Sequence, residues 1–327
     1  MDELVSVIMP VFQVEAYIEK SVLSVCKQIY RPIEIVLVDD GTPDNSIEKA
    51  IRVIEAVGTG GLSYKVVRQE NGGLSKARNS GISTASGRWI VCVDPDDILD
   101  KSFVSSLVKI NHKNRTQVSA ANYVKIVKQD VAMTERKGSV QGKEKLLTRN
   151  IALHEFLMRR LRLICPAVLI EKDYLEKNRL SYSVNVRFSE DLLYLWKLLM
   201  STEQISYITE PLYLYLKRPN STMSSSTIEK VLTGYKGIEQ YSREIQGEAN
   251  VPREIKEYLL PRWVLSVVRS SSMMLTYEEW ISLLTRMNYT VAMKRLKGFP
   301  DFRVFVLSEI LKRNTKLFYQ LVHYAGS

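Results

Sequence analysis

The sequence predicts an α/β protein built on a mostly parallel sheet covered by helices. Two observations predict it. Short apolar runs recur near residues 4, 33, 64 and 89, and each of the first three is followed by apolar residues at helical spacing. The runs are almost continuously apolar rather than alternating, as strands buried on both faces are.

Taken in order, Leu4 to Met9 is an apolar, β-branched strand interrupted only by Ser6. Glu15 to Ile29 carries Ile18, Val22, Val25, Cys26 and Ile29 on one helical face. Ile33 to Val38 is a second buried strand and Ile47 to Val57 a second helix. Tyr64 to Arg68 is a third strand, followed by a helix from about Ser75 to Ala85. Trp89 to Val93 is the fourth strand, and Pro95 ends it because proline cannot continue a ladder. Further on, Val118 to Val127 predicts a strand, Lys128 to Arg149 a polar connection, and Glu155 to Leu161 a helix. Ile164 to Ile170 reads as extended, a helix starts near Ser189, and Ile205 to Ile208 and Leu212 to Leu216 read as two strands. After about Thr227 the chain turns helical and basic, which places a domain boundary near 225: residues 1–225 form the α/β domain and 226–327 a helical region.

Bulk properties narrow the function classes. The 327 residues are 45% hydrophobic, enough for a sizeable core and too apolar for disorder. Lys and Arg exceed Asp and Glu by 46 to 36, a charge of +10 that favours anionic partners. No nucleic-acid-binding signature accompanies it, so phosphorylated ligands or acidic lipid are the expected partners. Cys26, Cys92 and Cys165 lie in apolar runs without metal-ligand spacing and read as buried thiols of a reducing compartment. No leader pattern or apolar stretch of about 20 residues is present, so a cytoplasmic location is expected, with peripheral contact at the inner face of the membrane as an option. His112, His154 and His323 are scattered and read as incidental.

Ligands of parallel sheets gather beyond the carboxyl ends of the strands. Three predicted loops there are chemically rich. Asp94, Asp96 and Asp97 follow the fourth strand, and acids so close repel unless a cation sits among them. A divalent ion carrying a phosphorylated ligand would settle that repulsion, although a solvated turn has the same composition. Asp39-Asp40 ends the second strand, where a carboxylate suits a base or ribose; only one of the pair can face a given ligand. Asn71-Gly72-Gly73 precedes a helix carrying Lys76 and Arg78, and its glycines allow close approach of a phosphate or base. It is not a P-loop, because Gly-Lys-Ser/Thr is missing. Ser189 predicts an N-cap with Glu190 and Asp191 in the first turn. Acids there are favoured by the helix dipole alone; as chemistry, one of the pair serves as a base while the other orients hydroxyls. Lys217, Arg218 and the loop to Ser221 suit a pyrophosphate or a plain solvated edge.

These pieces, in order, resemble the family-2 glycosyltransferases. The resemblance rests on Val5 to Phe12, Glu34 to Thr42, Asn71-Gly72-Gly73 with Ala77 to Gly81, Asp94-Pro95-Asp96-Asp97 and Ser189-Glu190-Asp191, and covers residues 4 to about 221. It implies a GT-A fold, a Rossmann-like sheet, and inverting transfer of a sugar from a nucleotide diphosphate, expected to be a UDP-sugar. It implies that Pro10, Val11 and Phe12 lie against the nucleoside, that Asp40 contacts uracil, and that Asn71 and Arg78 also meet the base. Asp94 and Asp96 match an Asp-X-Asp signature for ribose and a Mn²⁺ or Mg²⁺ ion, with Asp96 on the metal and Asp97 as a supporting acid. Asp191 matches the general base and Glu190 its neighbour. Pro95 departs from the usual pattern as a rigid occupant of the X position. The implied acceptor is a glycan or a lipid-linked sugar of bacterial surface polysaccharide such as capsule or O-antigen. Two rivals remain at this point: a sugar-nucleotide nucleotidyltransferase, which usually carries a glycine-rich amino-terminal loop absent from Val7 to Gln13, and a non-catalytic scaffold of an assembly complex. The basic helices after 225 fit either an anionic membrane surface or a packed subdomain and oligomer interface.

Overall fold

The computed structural model describes residues 3–58, 60–129, 142–218 and 227–326. Its first part alternates as the periodicity predicts: β1 (Val5–Val11), α1 (Ile18–Cys26), β2 (Ile33–Asp39), α2 (Ser46–Val57), β3 (Leu62–Arg68), α3 (Leu74–Thr84) and β4 (Trp89–Cys92). Every residue of β1 and β4 is buried, which explains why these strands carry no polar alternation. β1 pairs in parallel with β2 and β4, and β2 with β3. β3 is the sheet's edge, and most of its residues are partly or fully exposed. Three amides carry the ladder one step past the strands: Asp40 to the Val11 carbonyl at 3.1 Å, Gln69 to that of Asp39 at 3.0 Å, and Val93 to that of Ile8 at 2.8 Å. The loops that follow therefore start from fixed positions at one edge of the sheet.

Helix α3 packs on β1 and β2 through Gly81. A Cβ there would stand 2.3 Å from Ile8 Cγ2 and 3.1 Å from Val38 Cγ2. Gly81→Ala is expected to cost about 1–3 kcal/mol by overpacking, although alanine is the better helix former; the midpoint of urea unfolding measures it.

The second part is β5 (Ile98–Leu99), α4 (Phe103–Asn114), β6 (Val118–Ile126), β7 (Glu144–Thr148), α5 (Arg149–Leu157), β8 (Val168–Glu171), α6 (Lys172–Lys177), α7 (Glu190–Ser201) and β9 (Gln204–Leu216). Among the described residues the sheet has nine strands in the order β3-β2-β1-β4-β8-β6-β9-β5, with β7 also on β9. β8 lies antiparallel between β4 and β6, so the sheet is mixed beyond its parallel half. Several expectations are corrected here. The two strands expected at 205–208 and 212–216 are one strand. Pro211 interrupts the sequence pattern but sits at a register shift opposite Asn122, where a missing amide is tolerated. The end of the expected polar connection is β7, an exposed charged edge strand; residues 130–141 of that connection lie outside the described residues. The helix expected at 155–161 runs instead from Arg149 to Leu157. Around Pro166 the chain makes a single 3-10 turn, Cys165–Ala167, before β8.

By contacts the chain divides into two compact units, one of residues 1–152, 162–184 and 190–218, the other of 153–161, 185–189 and 219–327. The second is helical: α8 (Ile228–Glu244), α9 (Arg253–Ser271), α10 (Tyr277–Arg286), α11 (Tyr289–Arg295), α12 (Phe302–Arg313) and α13 (Thr315–Gly326). Its core holds Trp280, which stacks on Phe318 and donates its indole N–H to the Val268 carbonyl at 2.9 Å. Thr276 and Glu279 form a capping box on α10. No helix among the described residues is long and apolar enough to cross a membrane.

Candidate active site

The loops at the carboxyl ends of β1, β2, β3 and β4 carry most of the residues singled out from the sequence. Pro10 and Val11 close β1 and are buried, whereas Phe12 is 41% exposed. Asp40 is buried, and both its oxygens are engaged within the chain. Oδ1 accepts from Gln69 Nε2 at 2.6 Å and from the Gly72 amide at 2.9 Å, and Oδ2 from the Gly73 amide at 2.9 Å. Asn71 Nδ2 donates to the Asp40 carbonyl at 3.0 Å. The carboxylate thus occupies the anion position at the start of α3 and shapes the 69–73 loop. Gly73 adopts φ 83°, which favours glycine there.

Arg78 is the electrostatic centre. It is fully buried on α3, donates to Asp94 Oδ1 at 2.8 Å, and donates through its other terminal nitrogen to Asp191 Oδ1. Burial opposes its charge, but Asp191 and Asp94 outweigh burial and hold its pKa well above the ordinary value. Its guanidinium lies 5.0 Å from the centre of the Tyr182 ring, and that ring stacks on Tyr194 at 4.0 Å. The Asn79 amide clamps the Tyr182 backbone from both sides, accepting from its N–H at 2.9 Å and donating to its carbonyl at 2.8 Å. Arg78 therefore meets two acids 16 and 113 positions away, and both its terminal nitrogens are engaged with them.

Asp191 and Glu190 open α7. Ser189 has φ 57°, left-handed rather than the extended conformation of an N-cap, so the expected capping is replaced by a sharp entry into the helix. Burial raises the Asp191 pKa and Arg78 opposes it. The side chain still keeps 37% of its surface exposed, so solvent moderates the push and an incoming hydroxyl can reach it. Burial, then the neighbouring Asp191, push Glu190 up to about 7.

The acidic loop divides its labour. Asp97 is 1% exposed, with Oδ2 accepting from the Tyr213 hydroxyl at 2.7 Å and Oδ1 from the Leu216 amide at 2.7 Å. It staples the loop to β9. Burial, with Asp94 and Asp96 adding repulsion, raises its pKa well above the usual carboxylate range. Asp96 is 8% exposed and is pushed up to about 6 by burial and Asp94, with Arg218 opposing. Arg218 Nε lies 2.6 Å from Asp96 Oδ2 without an aligned hydrogen bond, an ion pair rather than a directed contact, and its guanidinium sits 5.2 Å from the centre of the Tyr17 ring. Gln129 Nε2 ties the Asp96 carbonyl to that of Tyr17, at 2.7 and 3.1 Å. Ser221 lies outside the described residues.

Asp94 and Asp96 offer hard oxygen donors, the chemistry of a Mg²⁺ or Mn²⁺ site. Among the described residues no three acidic, histidine or cysteine side chains are grouped to cage an ion. Two carboxylates suffice for an ion whose remaining ligands come from a diphosphate and water. Tyr182, Tyr17 and Gln129 were not singled out from the sequence, because isolated residues outside any motif carry no signal; Tyr213 was read only as part of the strand leading to Lys217 and Arg218.

The model of the glycosyl transferase family 2 domain matches residues 6–168. The chain is 30% identical over 233 residues to the uncharacterized glycosyltransferase EpsJ of Bacillus subtilis, covering 68% of this chain and 63% of EpsJ, so that relative is longer than the shared part. It is also 30% identical over 233 residues to the glycosyltransferase GlyG of Streptococcus pneumoniae, covering 68% of this chain and 74% of GlyG. The fold is similar to residues 1–349 of Staphylococcus aureus TarS in complex with UDP-GlcNAc, with a TM-score of 0.68 at 20% identity, covering 100% of this chain and 91% of that one. On the family match and these likenesses, the chain belongs to glycosyl transferase family 2.

Proposed function

We propose that this protein transfers a sugar, with inversion, from a UDP-sugar to a hydroxyl of a glycan or lipid-linked acceptor during bacterial surface polysaccharide synthesis. One observation carries the reading: a single buried guanidinium, Arg78, ties Asp94 of the Asp-Pro-Asp turn to Asp191 at the start of α7. The acid expected to hold the donor and the acid expected to activate the acceptor are thereby fixed to one rigid cation. Catalysis is assigned to residues 1–225, with the basic helices of 226–327 in a supporting role.

Each residue has a task. The nucleoside lies against Pro10, Val11 and Phe12 and the Asn71 loop whose shape Asp40 sets. Asp94 meets the ribose. Asp96, with Asp94, would hold Mn²⁺ or Mg²⁺, and such an ion supplies charge neutralisation to a departing diphosphate. Arg218 is assigned to the phosphates, as is Ser221, which lies outside the described residues. Asp191 takes the proton from the acceptor hydroxyl as that oxygen attacks the sugar opposite the leaving group, and one displacement inverts the anomeric centre. Glu190, which a pKa of about 7 leaves partly protonated at neutral pH, can donate as well as accept a hydrogen bond to a sugar hydroxyl.

Incubating purified protein with a panel of nucleotide sugars and Mn²⁺ tests the proposal. Release of free UDP supports it, release of pyrophosphate points to a nucleotidyltransferase, and neither product with any donor points to a scaffold. A pH dependence follows from Asp96. Its carboxyl takes up a proton as pH falls through about 6, and a protonated acid neither pairs with Arg218 nor binds a metal. Metal-dependent UDP affinity is therefore expected to fall about tenfold per unit below pH 6. Calorimetric titration across pH 5–8 measures this, and Asp96→Asn should bind weakly and show no such slope.

A further inference from the structure

Two arginines of the first unit meet acids in different ways. Arg78 is fully buried and makes directed hydrogen bonds to Asp94 and Asp191. Arg218 is held more loosely. Its Nε lies 2.6 Å from Asp96 Oδ2, yet that buried N–H has no aligned acceptor, and the guanidinium rests on the Tyr17 ring, 5.2 Å from the centre. An unaligned ion pair and a ring face hold a charge without fixing its orientation. The groups around it are fixed. Gln129 Nε2, just beyond β6, donates to the Asp96 and Tyr17 carbonyls at 2.7 and 3.1 Å, and Lys20 Nζ donates to the Gln129 carbonyl at 3.2 Å. Arg218 follows β9, whose ladder to β6 is carried on by the Lys217 amide, which donates to the Ile126 carbonyl at 2.8 Å. The acid and the ring are thus anchored through their backbones, and the guanidinium at the end of its stem is the part that can exchange partners.

Asp96 is also the acid that the proposed function gives to a divalent ion. Arg218 and such an ion are rivals for one carboxylate, because like charges repel. A partly buried guanidinium that loses its acid also keeps the cost of its burial. A bare ion offers Arg218 nothing in return. A diphosphate does, since its oxygens suit the planar guanidinium as well as a carboxylate does. We propose, resting on that metal reading, that Arg218 is a displaceable counter-ion of Asp96. It keeps a bare divalent ion off the acid and yields to an ion delivered with a nucleoside diphosphate, whose phosphate then takes the guanidinium. Arg218 is in this sense a positioning residue that couples the two ligands and keeps the acidic turn from filling with metal that brings no sugar donor.

The test follows Mn²⁺ uptake by the full chain through the electron paramagnetic resonance signal of the free ion, with and without UDP, at constant ionic strength. Arg218→Gln is expected to bind Mn²⁺ alone about tenfold more tightly than the wild type, and Mn²⁺ with UDP about tenfold more weakly. A merely structural role would weaken both, so the opposite signs are the signature. Tyr17→Leu keeps both charges and removes only the ring under the guanidinium. It is expected to tighten Mn²⁺ alone about threefold, and it decides if Arg218→Gln melts far below the wild type. Lys20→Gln removes a neighbouring exposed charge and is expected to change either affinity by less than about twofold. Equal affinities of wild type, Arg218→Gln and Tyr17→Leu for Mn²⁺ alone, or the same gain in Lys20→Gln, would overturn the proposal, while UDP-dependent uptake by the wild type would leave the metal reading standing. A wild type that takes up no Mn²⁺ even with UDP would overturn both.

Discussion

Asp191→Asn is expected to lower kcat by about 10³- to 10⁴-fold while leaving UDP affinity within about twofold. The amide oxygen can still accept from Arg78, so the node between α3 and α7 survives while the proton acceptor is lost. The pH profile adds a second check. Burial raises the Asp191 pKa, and only the ionised form acts, so wild-type kcat should fall on the acid side as pH drops through that raised value. The residual rate of Asp191→Asn should lack this limb. Single-turnover transfer from the best donor, followed at pH 5–9, reads both effects. Glu190→Gln serves as the control: if Glu190 were the base, its variant would be the one to lose turnover, and the wild-type limb would fall near 7.

Arg78→Met is expected to be the most damaging single change to the folded state. It removes the cation between Asp94 and Asp191 and leaves both carboxylates facing each other. Breaking a buried ion pair at one partner costs on the order of 3–5 kcal/mol; the lower end applies because both acids keep some solvent contact. The sign with pH is definite. Without Arg78 the Asp191 carboxylate binds a proton more tightly folded than unfolded, so the variant regains stability as pH falls through its raised value. The deficit should thus be largest near neutrality and shrink toward pH 4, as urea unfolding at several pH values would show. Arg78→Lys keeps the charge but not the two-pronged reach, and is expected to recover part of the stability and little turnover. Equal losses at all pH values would mean that Arg78 supports the fold by packing on Tyr182 rather than by charge.

The parallel half of the sheet was legible because each strand reports itself locally. β1, β2 and β4 are buried on both faces, and nothing but an unbroken apolar run produces that burial. The Asp-Pro-Asp turn was legible from local chemistry too, since proline cannot continue a ladder and so ends the strand. β7 was missed because an edge strand's polar residues look like a loop's. β9 was split because Pro211 looks like a break until its partner's irregular register is known.

What each acid does was not legible. Asp94, Asp96 and Asp97 are near neighbours of one composition, yet one pairs with Arg78, one with Arg218, and one is stapled to Tyr213 and Leu216. Those partners lie from 16 to 122 positions away along the chain, and no pattern of neighbours encodes them. The sequence by itself determined the elements, the acidic rim at the ends of the parallel strands and the family resemblance, because periodicity, turn chemistry and motif order are short-range properties. Only the tertiary structure decided which carboxylates are occupied within the chain and which remain open to a ligand, because that depends on where Arg78, Arg218 and Tyr213 arrive once distant segments pack.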